Sequence, residues 1–401
     1  MGAMRSAYFA LVFVCYSTIC CCEDDAVQKA IDICREKLSG DPHFPKVQHS
    51  LAQLLDSQVG IEEDLDASKE VVALYISVGL PAENVAEKRI PPPKVRFESL
   101  IRAAHISKDI LRDRQQAISC YIQAIQMDGI DQIAILTAFE EVIKLLHSST
   151  PFVEQETSID VLGDIKADNL DPLQLALNLC DFVGTKFPDE AIIDEFRGAT
   201  LRRMSEPNLA FKSYEQAMVK SRTNYFNCRD NSVQNGLGEG CLAQLKMFIN
   251  TSILVAAAAR AAAISFDDQK RYLETVDKVL EDEQIMYRDE LVTDMVDLYN
   301  NMGVLEKKRG SLSEAMAYFR KALELNPTDG HALVQIASIS SKDEDVIAQV
   351  MKLDPEYVSD LFDGYSSRFE SELVDVLKYV GHELVYESLR DSLQDKTSVW
   401  N

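Results

Sequence analysis

The stretch that decides the fold runs from Val296 to Asp329 and reads VDLYNNMGVLEKKRGSLSEAMAYFRKALELNPTD. Its small and aromatic residues have the spacing of two helices that cross closely. Gly303 and Ala315 let the two helices approach each other, and Phe319 fills the space between neighbouring hairpins. The stretch therefore predicts a helical hairpin that packs against further hairpins.

The same 34 residues resemble the tetratricopeptide repeat, a helix–turn–helix unit with small, aromatic and proline residues in a set order. The positions that carry the resemblance are Tyr299, Met302, Gly303, Ala315, Phe319, Ala322 and Pro327. Ala322 admits the next helix, and Pro327 ends the second helix because proline cannot continue one. One departure is Glu306, where the family usually has an aromatic residue. The resemblance implies stacked hairpins and a protein-binding role.

Further copies of this spacing occur earlier in the chain. Matching residues are Ala117, Tyr121 and Ala124; Gly198, Ala210, Tyr214 and Ala217; Ala176 and Pro188; and Ala30 and Pro42. A single copy could be an ordinary amphipathic helix pair, but several copies with the same offsets indicate a repeat. No sustained alternation typical of strands is present. We expect an all-α fold, an α-solenoid of tetratricopeptide-like hairpins.

Breaks in the pattern suggest four regions. These are a signal peptide at 1–22, an N-terminal block of helices or degenerate repeats at 23–93, a repeat solenoid with loop interruptions at 94–352, and a C-terminal helical cap at 353–401. Pro91–Pro93 separates the second region from the third, and His147–Leu162 and Asn224–Gly240 are polar interruptions. The length supports such an array, since single cores stop growing at roughly 250–300 residues.

The first 22 residues have the layout of a secretory signal peptide. Arg5 provides a positive start, Ala7–Cys15 is apolar, and small residues lead to Glu23. The apolar run is shorter than the roughly 20 residues of a membrane span, although an uncleaved anchor or an amphipathic leader is the alternative. We expect cleavage after Cys22, with Cys20 as the rival end, and entry into the secretory pathway, with the ER lumen, secretion and onward sorting all open. No integral membrane segment is expected after the leader is removed.

Five cysteines remain beyond the leader, and an oxidising compartment would favour pairing. Cys228 and Cys241 bracket a polar, glycine-rich loop between helices and are the disulfide candidates. Closing such a loop stabilises by about 3 kcal/mol in the chain-entropy model. Cys34, Cys120 and Cys180 lie on apolar helical faces, where cysteine acts as a small hydrophobe. The sequon at Asn250 is the glycosylation candidate, although it lies between two apolar helical runs.

The charge balance restricts the partners. The chain has 65 acidic and 41 basic side chains, for a formal net charge of −24. Such a surface repels phosphate backbones and anionic lipid, so nucleic acid is not expected as a partner. A basic protein or peptide is favoured, and the alternative is a surface that only confers solubility.

The segment Leu353–Leu389 resembles the region that precedes the catalytic domain in bacterial tetratricopeptide-methyltransferase fusions. The matching residues are Pro355, Tyr357, Val358, Leu361, Phe362, Asp363, Tyr365, Phe369, Leu373, Val374, Leu377 and Tyr379. In that family the segment implies a helical cap on a domain that binds S-adenosylmethionine. Only residues 390–401 follow here, too few for a nucleotide-binding α/β sheet. Phe362, Tyr365 and Phe369 also form a helical stripe that would cap a solenoid.

Other motifs do not indicate chemistry. Gly236–Gly240 lacks the apolar strand that a cofactor loop follows, and Glu62–Asp64 and Glu281–Glu283 lack the pattern of a calcium loop. No catalytic, cofactor or metal residue is assigned. In some tetratricopeptide domains Lys, Arg and Asn hold a carboxylate; Arg102 suits that role, but Ile106 follows it one turn later.

The sequence thus predicts a non-catalytic scaffold or adaptor that binds a protein or peptide in the secretory pathway. The alternative from a different class is the recognition half of a truncated or split methyltransferase.

Overall fold

The computed structural model describes residues 24–58, 65–83, 85–148, 171–232 and 239–340. Within these ranges the chain forms thirteen α-helices and one 3₁₀ turn, and they contain no β-strand. The all-α prediction is confirmed. The predicted signal peptide and the predicted C-terminal cap lie outside the described residues. The chain divides into two compact units, Met1–Ser221 and Arg222–Asn401, so the expected boundary near residue 93 falls inside the first unit.

The first unit is a succession of helices in which each packs against the next. They are α1 (Asp24–Gly40), α2 (Pro45–Gln58), α3 (Leu65–Gly79), α4 (Pro93–Asp109), α5 (Arg114–Ile125), α6 (Gln132–His147), α7 (Pro172–Lys186) and α8 (Ala191–Arg203), with a 3₁₀ turn at Glu87–Arg89. Pro93 and Pro172 begin their helices, where the missing N–H is no loss. Helix α9 (Pro207–Ser232) starts in this unit and ends in the second.

The second unit contains α10 (Glu239–Ala261), α11 (Phe266–Arg309), α12 (Leu312–Leu325) and α13 (Gly330–Ile339). Side chains cap several of these helices. The Ser265 hydroxyl accepts from the Asp268 N–H, and the Asp329 carboxylate accepts from the Ala332 N–H. Such caps satisfy backbone donors that the first turn of a helix leaves free. Gly310 ends α11 with φ of +92°, a conformation that favours glycine.

Helix α11 spans 44 residues, yet its first and last turns lie side by side. A straight helix of that length would separate its ends by about 65 Å. Instead, Arg309 pairs with Asp267 at 3.4 Å, Lys270 pairs with Glu306 at 2.8 Å, and Tyr299 donates a hydrogen bond to Asp277. The chain therefore reverses direction between the two halves. We call residues 266–281 the first arm and residues 289–309 the second arm.

Because the chain reverses direction here, the first arm and the second arm serve as two separate helices in the series of hairpins. The second arm and α12 make up the hairpin predicted from the decisive stretch, and α10 packs against α11. The sequence pattern predicted the second arm and α12 but not the reversal of the chain between the first arm and the second. No proline or glycine occurs between Glu281 and Asp289, so no turn signal was available.

One of the described helices differs from the expectation that no membrane segment follows the leader. The stretch Gly240–Ala261, within α10, is long and apolar enough to cross a membrane by length and composition, which the sequence analysis did not expect. Half of the stretch is buried inside the protein, including Leu245, Phe248 and Ile249. Burial of this extent is also what the core helix of a helical array shows.

Candidate partner-binding surface

The repeat signature lies at the hairpin crossing. Ala315, Phe319 and Ala322 are fully buried, and Tyr299 is nearly so. A Cβ atom on Gly303 would lie 2.6 Å from the Phe319 ring, closer than real contacts allow. This glycine is therefore required by the approach of α12 to the second arm. Pro327 follows α12, which ends at Leu325.

The departure at Glu306 is a buried ion pair. Glu306 is 1% exposed, and its Oε1 lies 2.8 Å from the Nζ of Lys270 on the first arm. Glu314 of α12 lies 3.4 Å from the same nitrogen. The lysine pKa is raised, mainly by its hydrogen bond to Glu306. A charge pair across the two arms and α12 thus occupies the place of the family's aromatic side chain.

The opposite face of the second arm is polar. Asp294, Asp297, Asn301, Val304 and Lys308 follow one another at spacings of three and four residues, so they form a single stripe along the helix. Tyr299, Met302, Gly303 and Glu306 lie on the other side, towards α12 and the first arm. The stripe is therefore the side of the second arm that its own hairpin leaves uncovered.

Helices α10 and α13 flank this stripe and run parallel to the second arm. The charge of Lys246 lowers the pKa of Asp294, and the charge of Arg260 lowers the pKa of Lys308. The two residues of each pair are the same number of positions apart in the sequence, so α10 and the second arm run in the same direction. On the other side Asn300 donates to Asp329 at 2.9 Å, and Lys307 donates to Gln335 at 2.8 Å. We call the shared surface of α10, the second arm and α13 the first-helix face.

The two ends of the first-helix face carry opposite charges. The acidic patch consists of Asp294, Asp297 and Asp329, and the basic patch consists of Arg260, Lys307 and Lys308. Burial raises the pKa of Asp294 and Asp297, and the charges of Asp294 and Asp329 raise that of Asp297 further. Burial, then the charge of Arg260, lowers the pKa of Lys308. No salt bridge among the described residues involves either patch; the Lys246 charge opposes the rise in the pKa of Asp294, and the His331 charge opposes that of Asp297.

A second candidate surface is a cleft of about 760 Å³ in the first unit, between residues of α7, α8 and α9. Its floor holds Asp194, which is 2% exposed and lies 2.5 Å from both Arg197 and Lys220. Arg197 also pairs with Asp181 at 2.9 Å. Val219, 54% exposed, forms part of the rim. The cleft joins a paired, charged floor to apolar walls.

The charged floor was not predicted from the sequence, although a signal was present. Asp194 and Arg197 precede Gly198 by the same intervals as Tyr299 and Met302 precede Gly303. Charged residues therefore occupy positions that are apolar in the matched repeat. The hairpin is nevertheless formed, since a Cβ atom on Gly198 would lie 2.9 Å from the Tyr214 ring.

The carboxylate-gripping arrangement is not assembled at Arg102. Its guanidinium binds Asp56 with two hydrogen bonds of 2.7 and 2.8 Å, and Tyr75 donates to the same carboxylate. Ile106 is buried. An intramolecular acid thus already occupies this arginine.

The modification candidates lie on α9 and α10. Cys228 and Cys241 are joined by a disulfide, with their Cα atoms 5.5 Å apart. Asn250 is exposed on α10, whereas the Ser252 hydroxyl of its sequon is buried and donates to the Phe248 carbonyl. Cys34, Cys120 and Cys180 are buried and form no disulfide among the described residues. Residues 233–238 of the glycine-rich loop lie outside the described residues.

An array of consecutive helical hairpins, with glycine at their crossings and paired helices along one face, defines a helical-repeat protein. Residues 296–329 match the model of the tetratricopeptide repeat family. Residues 296–329 are therefore a tetratricopeptide repeat, which confirms the resemblance seen in that stretch of the sequence. Proteins of this fold typically bind other proteins and are typically non-catalytic.

Solved structures that are similar to the chain include other proteins of this kind. The C-terminal part of a TPR repeat-containing protein from Cytophaga hutchinsonii is 12% identical, covering 77% of this chain and 94% of that chain at a TM-score of 0.43. Yeast Tom70 is 12% identical and covers 87% of each chain at a TM-score of 0.25. A search of the curated proteins finds no match.

Proposed function

We propose that the chain is a non-catalytic adaptor of the secretory pathway, which holds a segment of a partner protein on the first-helix face. The observation that carries the proposal is the uncovered stripe of the second arm, flanked by α10 and α13. Stacked hairpins bury their crossings and place the first helices of successive hairpins side by side, so these parallel helices form a continuous surface. Repeat proteins use such extended surfaces for binding.

The compartment is the finer part of the proposal. The leader-like residues 1–22 support it, and so does the disulfide between Cys228 and Cys241, because structural disulfides form and persist in oxidising compartments. The alternative methyltransferase function depends on residues 353–389, which lie outside the described residues, and remains a prediction from sequence.

Site-directed crosslinking tests the binding surface. A photoreactive residue placed at Val334, which is exposed on α13, should crosslink one specific partner in cells. The same residue at Arg320, exposed on α12 at the second helix of the hairpin, is the matched control and should not crosslink that partner. Equal crosslinking from both positions, or none from Val334, would contradict the assigned surface.

Secretion is tested separately by expressing the full chain in cells and analysing it on non-reducing gels and with an endoglycosidase. We expect loss of the leader, a mobility change on reduction that is absent in Cys228→Ser, and a glycan that Asn250→Gln removes. A chain that keeps residues 1–22 and reduced Cys228 in the cytosol would contradict the compartment while leaving the binding surface in place.

A further inference from the structure

The charges of the first-helix face indicate which partner segment it binds, an inference that rests on the proposed adaptor function. We propose that the face binds an extended segment with a lysine or arginine at one end and a carboxylate at the other, the cation on the acidic patch and the carboxylate on the basic patch. The occupant is thus a short dipolar peptide segment in a fixed direction.

The acidic end is incomplete without a donor. Asn300 lies at this patch, because its Nδ2 donates to Asp329. Its side chain is 7% exposed, and its Oδ1 has no hydrogen-bond partner among the described residues. An unsatisfied buried acceptor is destabilising, and an incoming N–H group would offset that cost. The three carboxylates form no salt bridge in the described ranges, and the repulsion of Asp297 by Asp294 and Asp329 favours a cationic ligand, since Lys246 offsets this charge only at Asp294.

The basic end has the complementary deficit. Arg260 and Lys308 repel each other, and the Arg260 Nε is buried without a hydrogen-bond partner in the described part of the chain. The Lys307 ammonium contacts only neutral acceptors in the described residues, the Gln335 amide and the Ser338 hydroxyl. Three cations without a carboxylate are unexpected in a chain of net charge −24. A ligand carboxylate would supply the missing anion.

The spacing sets the length of the segment. From Asp297 to Lys308 the second arm rises by about 16 Å. An extended peptide covers this distance with about five residues. Between the two patches the second arm offers Val304, which suits an apolar side chain in the middle of the ligand. The direction follows from the patches, with the cation nearer the start of the second arm.

Calorimetric titration of the full chain tests the proposal with Arg-Ala-Val-Ala-Leu, acetylated at its amino end and free at its carboxyl end. Replacing arginine by alanine, or amidating the carboxyl end, should each weaken binding by about tenfold. The sequence Leu-Ala-Val-Ala-Arg, with the charges at the same end, should bind no better than the singly charged peptides. Affinity that does not change across these peptides, or no binding by any of them, would overturn the proposal.

Protein variants identify the ends. Asp294→Asn with Asp297→Asn should abolish the preference for the arginine peptide and keep the preference for the free carboxylate, and Lys308→Met should do the reverse. Glu324→Gln and Lys278→Met, exposed charges elsewhere in the second unit, are the matched controls and should change neither. If crosslinking from Val334 finds a partner while the charge preferences are absent, the dipolar ligand is wrong and the adaptor surface stands.

Discussion

Two hairpins of the molecule have the same close helix crossing but different charged residues beside it. In the matched repeat, Gly303 meets Phe319, and a buried acid, Glu306, takes the place of an aromatic residue. In the hairpin of α8 and α9, Gly198 meets Tyr214 in the same way, but Asp194 and Arg197 stand where the repeat has Tyr299 and Met302. The comparison shows that the close crossing is the constant feature, whereas neighbouring positions tolerate paired charges.

The physical reason is the difference between a steric and an electrostatic requirement. A side chain added at the glycine of the crossing has no space, because the backbones of both helices are held in place by their own hydrogen bonds. A buried charge costs several kcal/mol when alone, but a partner within hydrogen-bonding distance offsets much of this cost. A repeat can therefore exchange an aromatic side chain for an ion pair without losing its hairpin.

The largest expected effect concerns the more buried pair. Glu306→Gln should lower the free energy of unfolding by about 3 kcal/mol, because it leaves the Lys270 charge with only the more distant and more exposed Glu274 and Glu314. Replacing both, with Glu306→Tyr and Lys270→Met, should recover at least half of the loss, since an apolar pair fills the same place. Urea unfolding followed by circular dichroism measures both changes.

The exposed neighbour supplies a control for this pair. Glu314→Gln removes the more distant, half-exposed acid and should change the free energy of unfolding by less than about 0.5 kcal/mol. If the double replacement were as unstable as Glu306→Gln alone, the pair would not be a substitute for the aromatic residue.

The crossing itself is the next test. Gly303→Val and Gly198→Val should each lower the free energy of unfolding by about 2–3 kcal/mol, because the added atoms overlap the Phe319 and Tyr214 rings. Gly184→Ala is the matched control: its new Cβ would meet the nearest atom at 3.5 Å, and helix propensity favours alanine by about 1 kcal/mol. Thermal and urea unfolding should separate the three; unchanged stability in both valine variants would refute the steric requirement.

The cleft pair should be less sensitive than the repeat pair. Asp194→Asn should lower the free energy of unfolding by about 2 kcal/mol, because Arg197 keeps Asp181 as a partner and Lys220 can turn towards solvent. Asp181→Asn, which removes a carboxylate that is 72% exposed, should cost less than about 0.5 kcal/mol. A larger loss of stability for Asp194→Asn than for Glu306→Gln would contradict the predicted order of the two ion pairs.

The smallest effect is a dependence on pH. Burial, then the charges of Arg203 and Arg202, lowers the pKa of His147 to about 4, and its Nε2 lies 2.8 Å from the Thr200 hydroxyl. Because the unfolded histidine titrates near 6.5, protonation favours the unfolded chain, and stability is lost as the pH falls from about 6.5 to 4. His331 is also shifted down by burial, but Asp329 and Asp297 oppose the shift.

His147→Gln should therefore reduce the loss of stability between pH 7 and 5 more than His331→Gln does. Unfolding midpoints at a series of pH values provide the comparison. Identical pH profiles for the wild type and His147→Gln would show that His147 is not held neutral in the folded chain.

Much of the fold was decided by local sequence. Helical periodicity, Ala and aromatic residues at fixed offsets, and prolines at helix starts and ends are enough to predict hairpins, because each depends on contacts within about one repeat. The hairpins at Ala117, Tyr121 and Ala124 and at Gly198 and Tyr214 were predicted in this way, and their residues are buried. The repeat signature around Gly303 was read from spacing alone.

Only the tertiary structure showed which charges come together. Lys270 and Glu306 are far apart in the chain, as are Asp194 and Lys220, and Asp297 meets Asp329 only because the second arm and α13 run in parallel. A sequence pattern reports the period of one helix but not the register between helices, which is set by the packing of every side chain at their interface. The sequence therefore determined an array of tetratricopeptide-like hairpins, and the structure decided where charged side chains come together on it.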